Sequence, residues 1–106
     1  MTDKEVLTLD KYGRPLMGEI VIYHNRNLRG GHRHVFNEEP DLRHPDDPTF
    51  NDAVSSFVIV KGFWKLFRDA NYQNPYDGEY GPGVYEWTEN YGVKNDDMSS
   101  LRCVRP

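Results

Sequence analysis

Two six-residue stretches carry oxygen donors at one spacing. Asn51-Asp52-Ala53-Val54-Ser55-Ser56 recurs as Asn95-Asp96-Asp97-Met98-Ser99-Ser100, with Asn, Asp and both Ser residues in register. Carboxylates and hydroxyls are hard ligands, the donor class that suits hard cations rather than soft ones. A single copy would be ordinary, because Asn-Asp and Ser-Ser are common turn and strand-entry residues. A second donor set is His32-Arg33-His34, with Glu38 downstream. On a strand the two imidazoles share one face, and with a carboxylate they could hold Zn²⁺ or Fe²⁺. The plainer reading is two exposed strand histidines without a ligand role, with adventitious Zn²⁺ or Ni²⁺ binding as the next alternative. No nucleophile comes with a base: Gly-x-Ser-x-Gly is absent, Cys103 stands in no catalytic signature, and no Gly-rich phosphate loop precedes a helix. A non-enzyme is expected.

The elements that must position these residues show the same interval. Asn51 and Asn95 lie 44 positions apart, and at that offset residues 19–30 fall on residues 63–74 without a gap. Ile22 meets Leu66, Tyr23 meets Phe67, Asn27 meets Asn71 and Leu28 meets Tyr72; beyond the motif, Phe57 meets Leu101 and Val60 meets Val104. One interval fitting both ends of each half points to an internal duplication.

Each half reads as β structure. EIVIYHN and FWKLFRD are β-rich runs that open the halves. Gly30-Gly31 and Asn74-Pro75 supply turns, followed by the strands HRHVFN and YDGEY. GPGVY gives a tight turn and a short strand, and EWTENYG one helical turn closed by Gly92. The matching EEPDLRHPDDPTF is a Pro-rich polar loop with no helix. SSFVIV and SSLRCV close the halves. Four strands per half, the last returning across a long connection, is the count of a Greek key. Two halves then make a two-sheet sandwich of about eight strands.

Composition sets the outer limits. At 106 residues the chain is one domain in size, and its net charge of −4 argues against a nucleic-acid face. No segment sustains helical periodicity, so stability must come from sheets. The longest apolar run, FVIV, is strand-sized, and no membrane partner is expected. The opening Met1-Thr-Asp-Lys-Glu-Val lacks the basic start of a secretory leader, so a cytoplasmic setting is the default expectation, with export left open. Cys103 is the single cysteine, which leaves no intrachain disulfide and no Cys-rich metal site.

Tyr23-x6-Gly30, a loop, and Asn/Asp-Asn/Asp-x-x-Ser/Thr-Ser entering a strand resemble the βγ-crystallin Greek-key motif. The resemblance covers about residues 19–105. Residues 19–62 are similar to the B-type motif and 63–105 to the A-type, an order typical of microbial members. Residues 1–18 lie outside it as an N-terminal extension, either an edge strand or a tail. Phe67-x6-Asn74 departs from the pattern by Asn for Gly, a residue that tolerates positive φ. The resemblance implies an all-β, βγ-crystallin-like sandwich of two Greek keys, and two Ca²⁺ ions clamped between paired loops. The ligands it implies are the Asp52 carboxylate, the Ala53 carbonyl and the Ser55 hydroxyl, with Asp96, the Asp97 carbonyl and Ser99 in the second copy. Further carbonyls come from Arg26 and Ala70, and each ion draws on both loops. Asn51, Asn95, Ser56 and Ser100 are expected to brace the loops through side-chain-to-backbone bonds. About one carboxylate and one hydroxyl per site predicts affinity on the order of 10⁻⁵–10⁻³ M. The expected role is structural, stress-related or calcium-buffering, with the protein partner unspecified.

Other patterns fit less well. The His pair is similar to the first cupin motif, but Arg26 stands where that motif needs Gly, and no His follows Pro82-Gly83. DANYQNPYDGEY starts like an EF-hand, yet its sixth residue is Asn74 and its twelfth is Tyr80, which cannot replace the bidentate Glu. Tyr72, Tyr76, Tyr80, Tyr85, Trp87 and Tyr91 crowd the second half. They are read first as core and corner packing. A carbohydrate- or partner-binding face, rigidified by calcium, is the alternative, and it requires several rings exposed on one surface.

Overall fold

The structure, a computed structural model, describes Leu9 and residues 13–43 and 48–106. Its strands are β1 (Glu19–Asn25), β2 (Arg29–Phe36), β3 (Glu38–Glu39), β4 (Ser56–Lys61), β5 (Phe63–Asp69), β6 (Gln73–Pro75), β7 (Gly83–Tyr85) and β8 (Ser100–Arg105). They form two four-stranded sheets, ordered β2-β1-β4-β7 and β3-β8-β5-β6. All pairings are antiparallel. The fold is the expected all-β sandwich.

Period-2 alternation explains how the sheets face each other. Ile20 and Ile22 of β1, Phe57 and Ile59 of β4, Trp64 and Leu66 of β5, and Leu101 and Cys103 of β8 all point inward and are buried. Loop residues Leu42, Phe50, Val54, Val93 and Met98 close the core at its ends. Burying side chains of this size contributes roughly 1.5–3 kcal/mol each, enough to dictate register.

The last long strand of each half returns beside the first, pairing Ile22 with Phe57 and Leu66 with Leu101. The short third strands cross over. β3 pairs with β8 through Glu39 and Leu101, and β7 pairs with β4 through Tyr85 and Phe57. Each half therefore completes the other's sheet.

Two stretches depart from expectation. YDGEY is not a strand; Gly78 at φ 84 turns the chain, and Tyr80 makes one isolated bridge, to Trp64. The second strand of that half is instead β6, which stops at Pro75, a residue without a ladder donor. The Pro-rich loop, read as helix-free, ends in a 3₁₀ turn over Pro48–Phe50; its residues 44–47 lie outside the described residues. The turn at Thr88–Tyr91 closes on Gly92 at φ 82, as read from EWTENYG.

Most of the N-terminal extension, residues 1–8 and 10–12, also lies outside the described residues. Leu9 bridges Pro15, and Asn37 Oδ1 accepts from the Met17 and Gly18 amides at 2.6 and 3.2 Å. Gly62 (φ 87) packs so tightly on Cys103 that a Cβ there would lie 2.6 Å from Sγ. Burial pushes the Cys103 thiol pKa up, in keeping with a packing role. Among the described residues no helix is long and apolar enough to cross a membrane.

Candidate metal-binding loops

The loops are held by hydrogen bonds that recur across the two halves. At the β1–β2 corner Asn27 and Leu28 adopt positive φ (61 and 58), and at the β5–β6 corner Asn71 and Tyr72 do the same (59 and 60). The Ser56 hydroxyl donates to the Asn25 carbonyl at 2.6 Å and accepts from the Leu28 amide at 3.0 Å. Ser100 donates to the Asp69 carbonyl at 2.6 Å and accepts from the Tyr72 amide at 3.1 Å. Both hydroxyls use donor and acceptor capacity at once, so they fix the corners that carry Arg26 and Ala70. Asn74 takes φ 56 where Gly30 takes 79, and the Asn-for-Gly departure is accommodated.

The motif loops lie against each other. The Asp52 amide donates to the Met98 carbonyl at 3.0 Å, and the Asp96 amide to the Val54 carbonyl at 3.3 Å. Ser55 and Ser99 are anchored by their amides to the carbonyls of Tyr23 and Phe67, each at 3.0 Å. Asp52 and Asp96 take left-handed conformations, φ 55 and 58, which Asp tolerates better than most residues. The side chains then cross between loops. Ser99 Oγ donates to Asp52 Oδ1 at 3.0 Å, and Ser55 Oγ to Asp96 Oδ1 at 3.4 Å.

Those separations suit a hard cation. Two oxygens on neighbouring vertices around one Ca²⁺ stand about 3 Å apart, so the paired groups can bind it with little rearrangement. Around Asp52 and Ser99 lies a cleft of about 230 Å³, also lined by Arg43, Asn51, Asp69 and Ala70. Ala70 thus joins Asp52 and Ser99, whereas Arg26 sits at the other corner with its guanidinium 4.4 Å over the Trp87 ring. The Ala53 carbonyl faces His24 Nδ1 at 3.2 Å. The Asp97 carboxylate accepts from Tyr76 Oη at 2.8 Å and lies 3.7 Å from Arg68 Nε.

Asn51 and Asn95 behave differently from the expected braces. Their Oδ1 atoms are buried and have no hydrogen-bond partner. Buried oxygens without a donor are uncommon in folded proteins. These two occupy the same motif position in both loops, as unpaired acceptors beside the carboxylates.

Residues that sequence reasoning missed surround the pairs. Arg43 lines the cleft while its guanidinium is held by Asp41 at 3.0 Å. Its pKa is raised by the bond to Asp41, with the Asp52 charge adding to the effect. His24 stacks on Phe50 with ring centroids 3.9 Å apart. Burial, then the bond to Asp97, pushes the Tyr76 pKa well up. Apart from the local Arg43–Asp41 pair, these contacts have no spacing signal, because each joins distant segments.

The histidine site is only partly as expected. Glu38 accepts from Tyr72 Oη at 3.0 Å and pairs with Arg14, so it does not join the histidines; Glu19 does, at 2.8 Å from His34 Nδ1. Among the described residues no three His, Cys, Asp or Glu side chains converge as a metal cluster. The loops would not form one, since each pairs a single carboxylate with hydroxyls and carbonyls. The aromatic residues do not make an open face. Tyr76 and Tyr80 are buried, Tyr85 stacks on Phe57 at 4.6 Å, and Tyr91 packs on Tyr85 at 4.8 Å.

Comparison with known proteins gives consistent matches. The family model described as Beta/Gamma crystallin matches residues 19–104. Epidermal differentiation-specific protein of Cynops pyrrhogaster is 35% identical over 89 residues, which are 83% of this chain and 24% of that protein. The chain thus spans about a quarter of that relative's length. The solved beta gamma crystallin from Ciona intestinalis superposes with a TM-score of 0.73 at 26% identity, covering 81% of this chain and 99% of that one. A structure described as a transition-metal-ion-binding betagamma-crystallin from Methanosaeta thermophila is 34% identical with a TM-score of 0.70, covering 79% of this chain and 98% of its own.

Proposed function

The chain belongs to the beta/gamma-crystallin family, and we propose that it is a calcium-binding, calcium-stabilised structural domain with two ion sites. The observation that carries this reading is the crossed pairing of Asp52 with Ser99 and Asp96 with Ser55. One ion would take the Asp52 carboxylate, the Ser99 hydroxyl and the carbonyls of Ala70 and Asp97. The other would take Asp96, Ser55 and the carbonyls of Ala53 and Arg26. A carbonyl has two lone pairs, so the His24 contact does not disqualify Ala53.

Calcium supplies charge neutralisation here, and the chain supplies the frame. Each site joins both motif loops, so a bound ion ties together the two segments that close the core with Val54 and Met98. Binding to the folded state alone then raises stability by mass action. That coupling fits a structural or calcium-buffering role, including one in stress survival.

Titration calorimetry with Ca²⁺ tests the reading, with two ions per chain expected. Thermal melts should give a higher Tm in calcium than in chelator. Replacing Ser55 and Ser99 together by Arg should remove both binding and that difference. Equal melting temperatures in calcium and chelator for the unmodified protein would overturn the stabilising role.

A further inference from the structure

β2 presents a donor set of different chemistry. His32 and His34 are two positions apart on this strand, so both rings leave the first sheet on its outer face while Val35 points into the core. Their centroids are 5.5 Å apart with planes at 75°. Tyr23 flanks His32 at 5.7 Å and Phe36 lies parallel to His34 at 6.2 Å. The four rings form a row along the strand pair, which limits how far either imidazole can swing.

Glu19 fixes the orientation of one ring. Its Oε2 is 2.8 Å from His34 Nδ1. An ionised carboxylate only accepts, so Nδ1 carries the proton and Nε2 keeps its lone pair for another partner. A carboxylate behind an imidazole in this way both sets the tautomer and raises ligand basicity at metal sites.

We infer that His32 and His34 form a two-imidazole site for a late first-row divalent ion, Zn²⁺, Ni²⁺ or Cu²⁺, with Glu19 as its positioning residue. Imidazole nitrogen favours this ion class over Ca²⁺, so the site is chemically separate from the oxygen-donor loops. Water completes the coordination: Glu19 is engaged with His34 Nδ1, and among the described residues no group of three His, Cys, Asp or Glu side chains is placed to hold an ion. The half-exposed His34 makes the ion exchangeable.

The test is NiCl₂ titration of the full chain with calcium already saturating, so that the oxygen loops do not compete. One Ni²⁺ per chain is expected, with paramagnetic broadening centred on the His32 and His34 ring signals. His32→Gln and His34→Gln should each abolish saturable binding. Glu19→Ala should weaken it about tenfold. Glu19→Gln should retain most of it, because the amide oxygen still accepts the Nδ1 proton. Unchanged Ni²⁺ affinity in the double His32→Gln/His34→Gln variant overturns the site, and equal affinity in Glu19→Ala overturns the role of Glu19. Calcium titration of the same variants reports on the loops independently.

Discussion

The Asp52–Ser99 and Asp96–Ser55 pairs share a backbone and differ in surroundings. Hydrogen bonds at the corners and between the loops recur at the same positions in both. The neighbours do not. The cleft beside Asp52 includes Asp69, and Asp97 follows in the facing loop; 44 positions earlier the chain has Asn25 and Ala53. Position 24 is a histidine on the Ala53 carbonyl, and position 68 is an arginine beside the Asp97 carboxylate. Backbone hydrogen bonds constrain what a β-corner can become, because each buried amide needs a partner. Side chains around the rim carry no such debt, so the two loop pairs are alike in backbone hydrogen bonding and unlike in the charge around them.

The shared backbone can be broken first. Ser56→Ala and Ser100→Ala each remove a buried hydroxyl that serves one carbonyl and one amide. Each should lose up to about 3 kcal/mol in urea unfolding, by orphaning those groups. Without calcium the two losses should agree closely; a large difference would mean the corners are not equivalent. The ions come next. Asp52→Asn and Asp96→Asn each remove the one carboxylate of a proposed site while keeping a residue tolerant of positive φ. At calcium near 100 times Kd each should cost about 2.7 kcal/mol of ion-dependent stability. In chelator both variants should unfold like the parent, as chemical denaturation in the two conditions will show.

The shared part was legible in the chain and the divergent part was not. β1 and β5, like β4 and β8, follow from alternating apolar runs set at one interval, and the motif marks the loops directly. Asn74 was recognisable as a stand-in for Gly30 because few other residues accept that φ. β3 was unreadable, since two residues in a Pro-rich loop have no periodicity, and so the exchange of third strands was hidden too. YDGEY misled because its tyrosines look strand-like, while the turn at Gly78 decides the path. His24, Arg68 and Tyr76 reach their loops across 21 to 29 positions, a distance at which spacing carries no information.

Tyr76 sharpens the contrast further. Burial and its bond to Asp97 raise its pKa in the folded state. The neutral phenol is therefore the form the fold favours. Its contribution is complete below the unfolded value of about 10 and is lost as pH rises above that point. Tyr76→Phe should cost about 1 kcal/mol near neutrality, the net value of one hydrogen bond. It should also flatten the decline in stability above pH 10, as urea unfolding across that range will record. The equivalent position in the first half is His32, which makes no such bond, so the alkaline sensitivity belongs to the second half's loop.

Asp69→Asn should give the smallest and most one-sided effect. Asp69 lines the Asp52 cleft and its carboxylate accepts from the Asn74 side-chain amide, so it would act on an ion there through charge. A screened unit charge at a separation of about 8 Å contributes only a fraction of a kcal/mol, or about threefold in affinity. The Asp52–Ser99 site should weaken by that factor while the Asp96–Ser55 site keeps its affinity, because Asn already occupies the matching position 25. Calcium titrations of Asp69→Asn in Asp52→Asn and Asp96→Asn backgrounds isolate each site in turn. Equal weakening of both would mean that charge is shared across the loop pair, and the division into a more acidic and a less acidic site would fail.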